Sequence, residues 1–250
     1  MLRGAGTALN VATILVGSGV GVALGARLPA RTRSTVTDAL GLVTLVIGGL
    51  GVAEGLSSAA LRDAVGPSAG LLVVLAALLV GGIAGSLLRL EDRLEGSGRA
   101  LQRRLTRGAA TTTARERFVE GYVTASLVFC VGPLAVLGPL SDGLGDGIEQ
   151  LALKSTLDGF ASLAFAASLG WGVAASAVSV LVVQGSLTVL GAVLGSLLPD
   201  ALVASLTATG GVLLLGVGLR LLAVKSVPVG DLLPALVAAP VVTALVQALR

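Results

Sequence analysis

The sequence contains no histidine and a single cysteine, Cys130. A histidine proton relay, an ordinary zinc site and an internal disulfide are therefore excluded. Aromatic residues make up 2% of the chain, too few for an interfacial belt of Trp and Tyr or a base-stacking platform for nucleic acid. Charged residues reach only 12%, against roughly 25% in an ordinary soluble domain. So few polar side chains cannot cover the surface of a water-soluble globule of 250 residues, which excludes a soluble enzyme. What fills the chain instead is 54% hydrophobic residues, with a mean hydropathy of +0.97. That richness also excludes a disordered chain. The class is integral membrane protein.

A membrane-crossing helix needs about 20 mostly apolar residues, and the charges punctuate the chain at nearly that interval. Uncharged runs cover Gly4–Ala26, Ala64–Leu88, Gly121–Ser141, Ala201–Leu219 and Leu232–Leu249. A further span starts at Ala39 and runs through Glu54 to about Ser57. Gly159–Pro199 is 41 residues long, enough for two spans broken near Gly170-Trp171-Gly172. The expected fold is an all-α polytopic bundle of about eight transmembrane helices, with 1–250 forming a single membrane domain. The first span is too long for a signal peptide and continues into a basic loop, so it reads as a retained helix.

Loop charges test that count independently. The first loop holds Arg27, Arg31 and Arg33, the third holds eight arginines from Arg89 to Arg117, and the seventh holds Arg220 and Lys225. In an eight-span chain these loops share one side. With both termini outside, that side is the cytoplasm. The basic linker 89–118 carries Leu87, Leu90, Leu94, Leu101 and Leu105 at helical spacing among its arginines, although Gly96-Ser97-Gly98 interrupts the pattern. It reads as a topology determinant whose 89–117 stretch contacts anionic lipid.

Shifting the chain by 170 residues lays Gly21, Leu24, Gly25, Leu28, Pro29, Thr37, Gly41, Leu45 and Gly48 on Gly191, Leu194, Gly195, Leu198, Pro199, Thr207, Gly211, Leu215 and Gly218. Repeat units 7–57 and 177–224 follow. The first helix of one unit is odd-numbered and that of the other even-numbered, so the two would enter the membrane in opposite directions. Inverted repeats of this kind are common in secondary transporters. Shared small-residue packing grammar is the plainer explanation.

Candidate chemistry lies in few places. Gly132-Pro133 and Gly138-Pro139 kink or break the fourth span, and Pro133 removes the partner of the Phe129 carbonyl at mid-membrane depth. Lys154 lies within helical reach of Asp158, while Ser155 to Asp158 also fits an acidic variant of a capping box. Asn10 and Gln184 are polar residues inside spans, and Glu54 and Glu120 sit near span ends. No nucleophile and base pair is visible, so the chain does not read as an enzyme. No metal ligand set or cofactor motif stands out, and nucleic acid is not an expected partner.

Ser126-Leu-Val-Phe-Cys-Val-Gly-Pro-Leu, Lys154-Ser-Thr-Leu-Asp-Gly-Phe and Gln184-Gly-Ser-Leu-Thr resemble the YqgA/YdfK-like family of bacterial inner-membrane proteins, a domain of unknown function. Helix 1 with Asn10 and the segment Gly230-Asp231-Leu-Leu-Pro-Ala are similar too, so the resemblance spans essentially the whole chain. It implies a bacterial multi-pass protein of the cytoplasmic (inner) membrane, and no activity. The leading expectation is a transporter or channel for a small solute or ion, its path between the first, fourth, fifth and sixth spans. Glu54, Lys154 and Asp158 would form the outer mouth. The alternative is a non-transporting scaffold or regulatory protein acting through the basic loop. Small-residue helix faces suit internal packing and a homo-oligomer equally.

Overall fold

In the computed structural model, which describes residues 3–26, 29–105, 112–130, 133–145, 147–194 and 199–249, every regular element is a helix. They are α1 (Ala5–Gly25), α2 (Ala30–Ser57), α3 (Ala59–Val65), α4 (Gly70–Leu88), α5 (Leu90–Leu105) and α6 (Thr112–Cys130). There follow α7 (Pro133–Leu144), α8 (Glu149–Leu169), α9 (Gly172–Leu194), α10 (Asp200–Leu221), α11 (Val229–Leu232) and α12 (Ala235–Ala248). The protein is an all-α polytopic membrane bundle. Large apolar side chains such as Val16, Leu50, Leu72 and Val193 are exposed, as residues facing acyl chains must be. Six segments are long and apolar enough to cross a membrane: Ala5–Gly25, Ser34–Ser57, Gly70–Leu88, Gly172–Val193, Asp200–Leu221 and Val229–Ala248. The α6–α7 pair and α8 fall outside those six, because α6 begins with Arg115, Glu116 and Arg117 and α8 carries Glu149, Lys154 and Asp158.

The chain forms two compact units. The first comprises Met1–Leu40, Leu94–Cys130 and Leu134–Leu197. Its organising contact is the pairing of α1 with α8. Gly17, Gly21 and Gly25 recur every four residues on one face of α1, and they lie on the backbone at Gly159, Leu163 and Ala167 in turn. Both series rise together, so the two helices are parallel. Lipid supplies no hydrophobic drive between helices, and close backbone approach takes its place. A Cβ at Gly21 would overlap the Leu163 carbonyl. α6 runs parallel to α9 in the same manner, with Gly172 on the Phe118 carbonyl and Gly121 on Leu169 and Val173. α7 packs on the later part of α9, where Gly143 meets the Thr188 carbonyl and Gly191 the Leu140 carbonyl. Asp142 closes the far end of α1, accepting from the Gly4 amide (3.0 Å) and the Gly6 amide (3.1 Å). A carboxylate there satisfies helix donors that have no partner of their own.

The second unit comprises Gly41–Arg93, Val131–Pro133 and Leu198–Arg250, with α10 at its centre. α2 and α10 are antiparallel: Gly48 faces Gly211, and Gly218 faces Gly41 and Leu45. α4 lies antiparallel to the α11–α12 segment, Gly81 against Ala235 and Gly85 against Asp231. Leu61, Val65, Val73 and Ala204 pack with Val242 and Val246 into a small core. The turn after α4 places Arg89 in the left-handed region (φ 51°). Its geometry is held by charge. Glu91 accepts from Arg220 and from the Gly230 amide (2.6 Å), while the Glu91 amide donates to Asp231 (2.9 Å).

Two local expectations are corrected. Gly96-Ser97-Gly98 does not interrupt the linker helix, since α5 runs through it. Two glycines cost a helix interior only about 1 kcal/mol each relative to alanine. Ser155 is not an N-cap: α8 begins at Glu149, and the Ser155 hydroxyl donates back to the Leu151 carbonyl (2.6 Å).

The packing makes a direct prediction. Gly21→Val should destabilise the protein by about 1–3 kcal/mol, as overpacking does. Gly19→Ala, whose Cβ would meet nothing within 4 Å, should leave the melting temperature in detergent unchanged. Thermal unfolding followed by size-exclusion chromatography distinguishes the two. Equal effects would refute glycine-mediated approach of α1 to α8.

Candidate functional site

Four of the residues singled out in the sequence meet inside the first unit. Lys154 and Asp158 stand one turn apart on α8, which aims both side chains to the same side. They form an ion pair, and each is at most 7% exposed. Asn10 of α1 donates from Nδ2 to the same carboxylate oxygen, Asp158 Oδ2, at 2.9 Å. That nitrogen also donates to Gln184 Oε1 of α9 at 3.2 Å. Asp158 thereby ties α8 to α1, and Asn10 ties α1 to α9.

The arrangement fixes which way Asn10 points, because only its amide nitrogen can face a carboxylate. Asn10 Oδ1 is left without a hydrogen-bond partner in the protein, as are Gln184 Nε2 and the Ser18 hydroxyl, all fully buried. One unpaired acceptor and one unpaired donor therefore lie beside a buried ion pair. Unpaired buried polar atoms are costly, so a native structure gives each of them a partner or a purpose. A hydrated solute or an ion can exchange contacts with such groups; an apolar core cannot.

The sequence reading missed Thr7 and Thr188, whose hydroxyls pair at 3.1 Å beside the cluster. The signal was present. Thr7 precedes Asn10 by three residues and Thr188 follows Gln184 by four, the spacings that share a helix face. It also missed the chain in which Ser126 donates to Ser179 (2.9 Å) and Ser179 to Tyr122 (2.9 Å), between α6 and α9.

The other candidates have different settings. Phe129 is fully buried, with its ring edge-on to Phe165 at 6.3 Å between centroids. α6 ends at Cys130 and α7 starts at Pro133, a position where proline's missing amide is harmless; Gly132 lies outside the described residues. Glu54, in the second unit, and Glu120, on α6, are exposed. Among the described residues, no three or more His, Cys, Asp or Glu side chains gather where a metal ion could be held.

The comparisons with known proteins fit this picture. A family model described as a protein of unknown function (DUF554) matches residues 5–244. The chain belongs to that family. It is 32% identical over 234 residues to a protein of Escherichia coli (strain K12) named uncharacterized protein YqgA, covering 94% of both chains. It is 28% identical over 243 residues to one of Bacillus subtilis (strain 168) named uncharacterized membrane protein YdfK, covering 97% of both. No solved structure matches. The name of the second relative agrees with the membrane-bundle fold, and none of the matches names an activity.

Removing one member of the buried pair strands the other charge. Asp158→Asn or Lys154→Met alone should each destabilise the protein by about 3–5 kcal/mol. Asp158→Asn combined with Lys154→Met should cost clearly less than their sum. A double-mutant cycle on unfolding in detergent checks this. Additive losses would mean the two charges do not sense one another.

Proposed function

We propose that the protein is a transporter or channel for a small solute or ion in the bacterial cytoplasmic membrane, its path lying within the first unit among α1, α6, α7, α8 and α9. The observation carrying this reading is the Lys154–Asp158–Asn10–Gln184 cluster with its unpaired carboxamide atoms. Ionisable residues inside a span are rare because they are costly, and they characteristically mark ion and substrate routes.

The proposed frame has eight spans and an inverted repeat. Thr7–Thr188 and Asn10–Gln184 are successive contacts in which one number rises as the other falls, so α1 and α9 are antiparallel. α8 is parallel to α1, and α6 parallel to α9. Strict alternation of eight crossings, with α6–α7 as one broken span and α3, α5 and α11 not crossing, accounts for all of these directions.

The 170-residue shift carries α1, α2 and α3 to 175–195, 200–227 and 229–235, in register with α9, α10 and the start of α11. It also relates contacts. Moving Gly48 forward and Gly211 back by 170 turns their contact into that of Gly218 with Gly41, which the second unit also makes. Two antiparallel helices related in this way are what an inverted duplication leaves behind.

Two experiments test the proposal. In proteoliposomes, a panel of ions and small solutes should reveal a flux that Asn10→Ala and Asp158→Asn reduce at least about tenfold per folded molecule, the loss of one charge-assisted hydrogen bond. Wild-type flux in both variants would reject this path. For topology, Cys130→Ser protein carrying Gly145→Cys should react with an impermeant thiol reagent in intact cells, whereas Arg104→Cys should not. Reversed labelling would overturn the orientation.

A further inference from the structure

We infer that the solute carried by the first unit is small, uncharged and hydrogen-bonding, and that it moves along the seam where α1 lies against α9. This inference rests on the transport reading and narrows both its path and its cargo. The contacts of Thr7 with Thr188 and of Asn10 with Gln184 fix the antiparallel register of the two helices. That register puts Ile14 opposite Val180 and Ser18 opposite Ser176, since residues four apart share a helix face. All eight side chains are buried, and none is charged. The seam is thus a ladder of hydroxyls at Thr7 and Thr188, carboxamides at Asn10 and Gln184, an apolar rung at Ile14 and Val180, and hydroxyls again at Ser18 and Ser176. Four buried side-chain atoms among the described residues lack a hydrogen-bond partner. Three of them, Asn10 Oδ1, Gln184 Nε2 and Ser18 Oγ, lie on this seam.

Charge decides the class of solute. Lys154 and Asp158, beside the carboxamide rung, neutralise one another in direct contact. Asp142, at the start of α1, accepts from the Gly4 and Gly6 amides. An ion entering the seam would give up its water to rungs of two uncharged side chains each, too few to replace a hydration shell. A zwitterion would have to draw Lys154 away from Asp158 and strand both charges. An uncharged solute meets neither cost. Asn10 Oδ1 can accept from it and Gln184 Nε2 can donate to it while the ion pair stays closed. The Ser18 hydroxyl offers the next hydrogen bond, two turns along α1 and beyond the apolar rung. Ile14 and Val180 are fully buried, so the seam is closed at that rung and α1 must part from α9 for the solute to pass.

Stopped-flow measurements on proteoliposomes test this, with urea, acetamide and glycerol as uncharged probes and potassium and chloride as ions. At least one uncharged probe should enter faster than into protein-free vesicles, and neither ion should. Ser18→Ala should slow that entry about two- to tenfold per folded molecule, the worth of one neutral hydrogen bond. Its melting temperature in detergent should stay unchanged or rise, because the hydroxyl it removes has no partner to lose. Gln184→Met, which removes the unpaired donor without altering charge, should slow entry likewise. Unchanged entry in both variants would overturn the seam, and so would a lowered melting temperature in Ser18→Ala. Faster ion entry with no faster uncharged probe would overturn this inference and leave the transport reading standing. Faster water movement alone would assign the unpaired atoms to ordered water and overturn it as well. Acceleration of no probe, ion or water would overturn both readings.

Discussion

Glycine-mediated approach of α1 to α8 is the contact on which the first unit depends. Gly17, Gly21 and Gly25 place one helix backbone directly on another, and at that separation Asn10 reaches Asp158 with an ordinary hydrogen bond. Widening the contact by a single side chain would pull the carboxamide away from the carboxylate and leave the ion pair with less support. The polar cluster is therefore a product of the small-residue stripe, although the two lie on different parts of α1. In a bilayer, where lipid competes for apolar faces as well as protein does, that coupling is how a helix bundle obtains a defined polar interior.

The second unit uses the same grammar to different effect. Gly48 with Gly211 and Gly41 with Gly218 bring α2 and α10 together in an antiparallel pair, while Glu91, Arg220 and Asp231 tie the α4–α5 turn to the α10–α11 region. Its charges hold a turn, with Arg220 and Glu91 both partly exposed. In the first unit the charges are buried against carboxamides with unpaired atoms, and that is why the functional reading attaches there.

Much of this was legible in residue order. The break at Gly170-Trp171 was visible as 41 uncharged residues too long for one crossing, and α8 and α9 divide there. Asn10, Lys154, Asp158 and Gln184 stood out because polar residues inside apolar runs are few. The capping-box reading of Ser155 and Asp158 failed because a four-residue pattern cannot reveal that its helix starts six residues earlier. Thr7 and Thr188 passed unnoticed because a threonine in a span is ordinary until its hydroxyl is seen to face another.

Sequence alone determined the membrane class and the helical content, since both follow from local quantities: the scarcity of charge and the length of apolar runs. It also determined which residues were too costly to bury without a reason. Only the tertiary structure decided that Asn10 meets Asp158, 148 residues away, and Gln184, 174 residues away. Hydropathy and helical period report the environment of each segment separately. Which helix faces which, and in what direction, is set by long-range backbone contact at particular glycines, and no single segment encodes its partner.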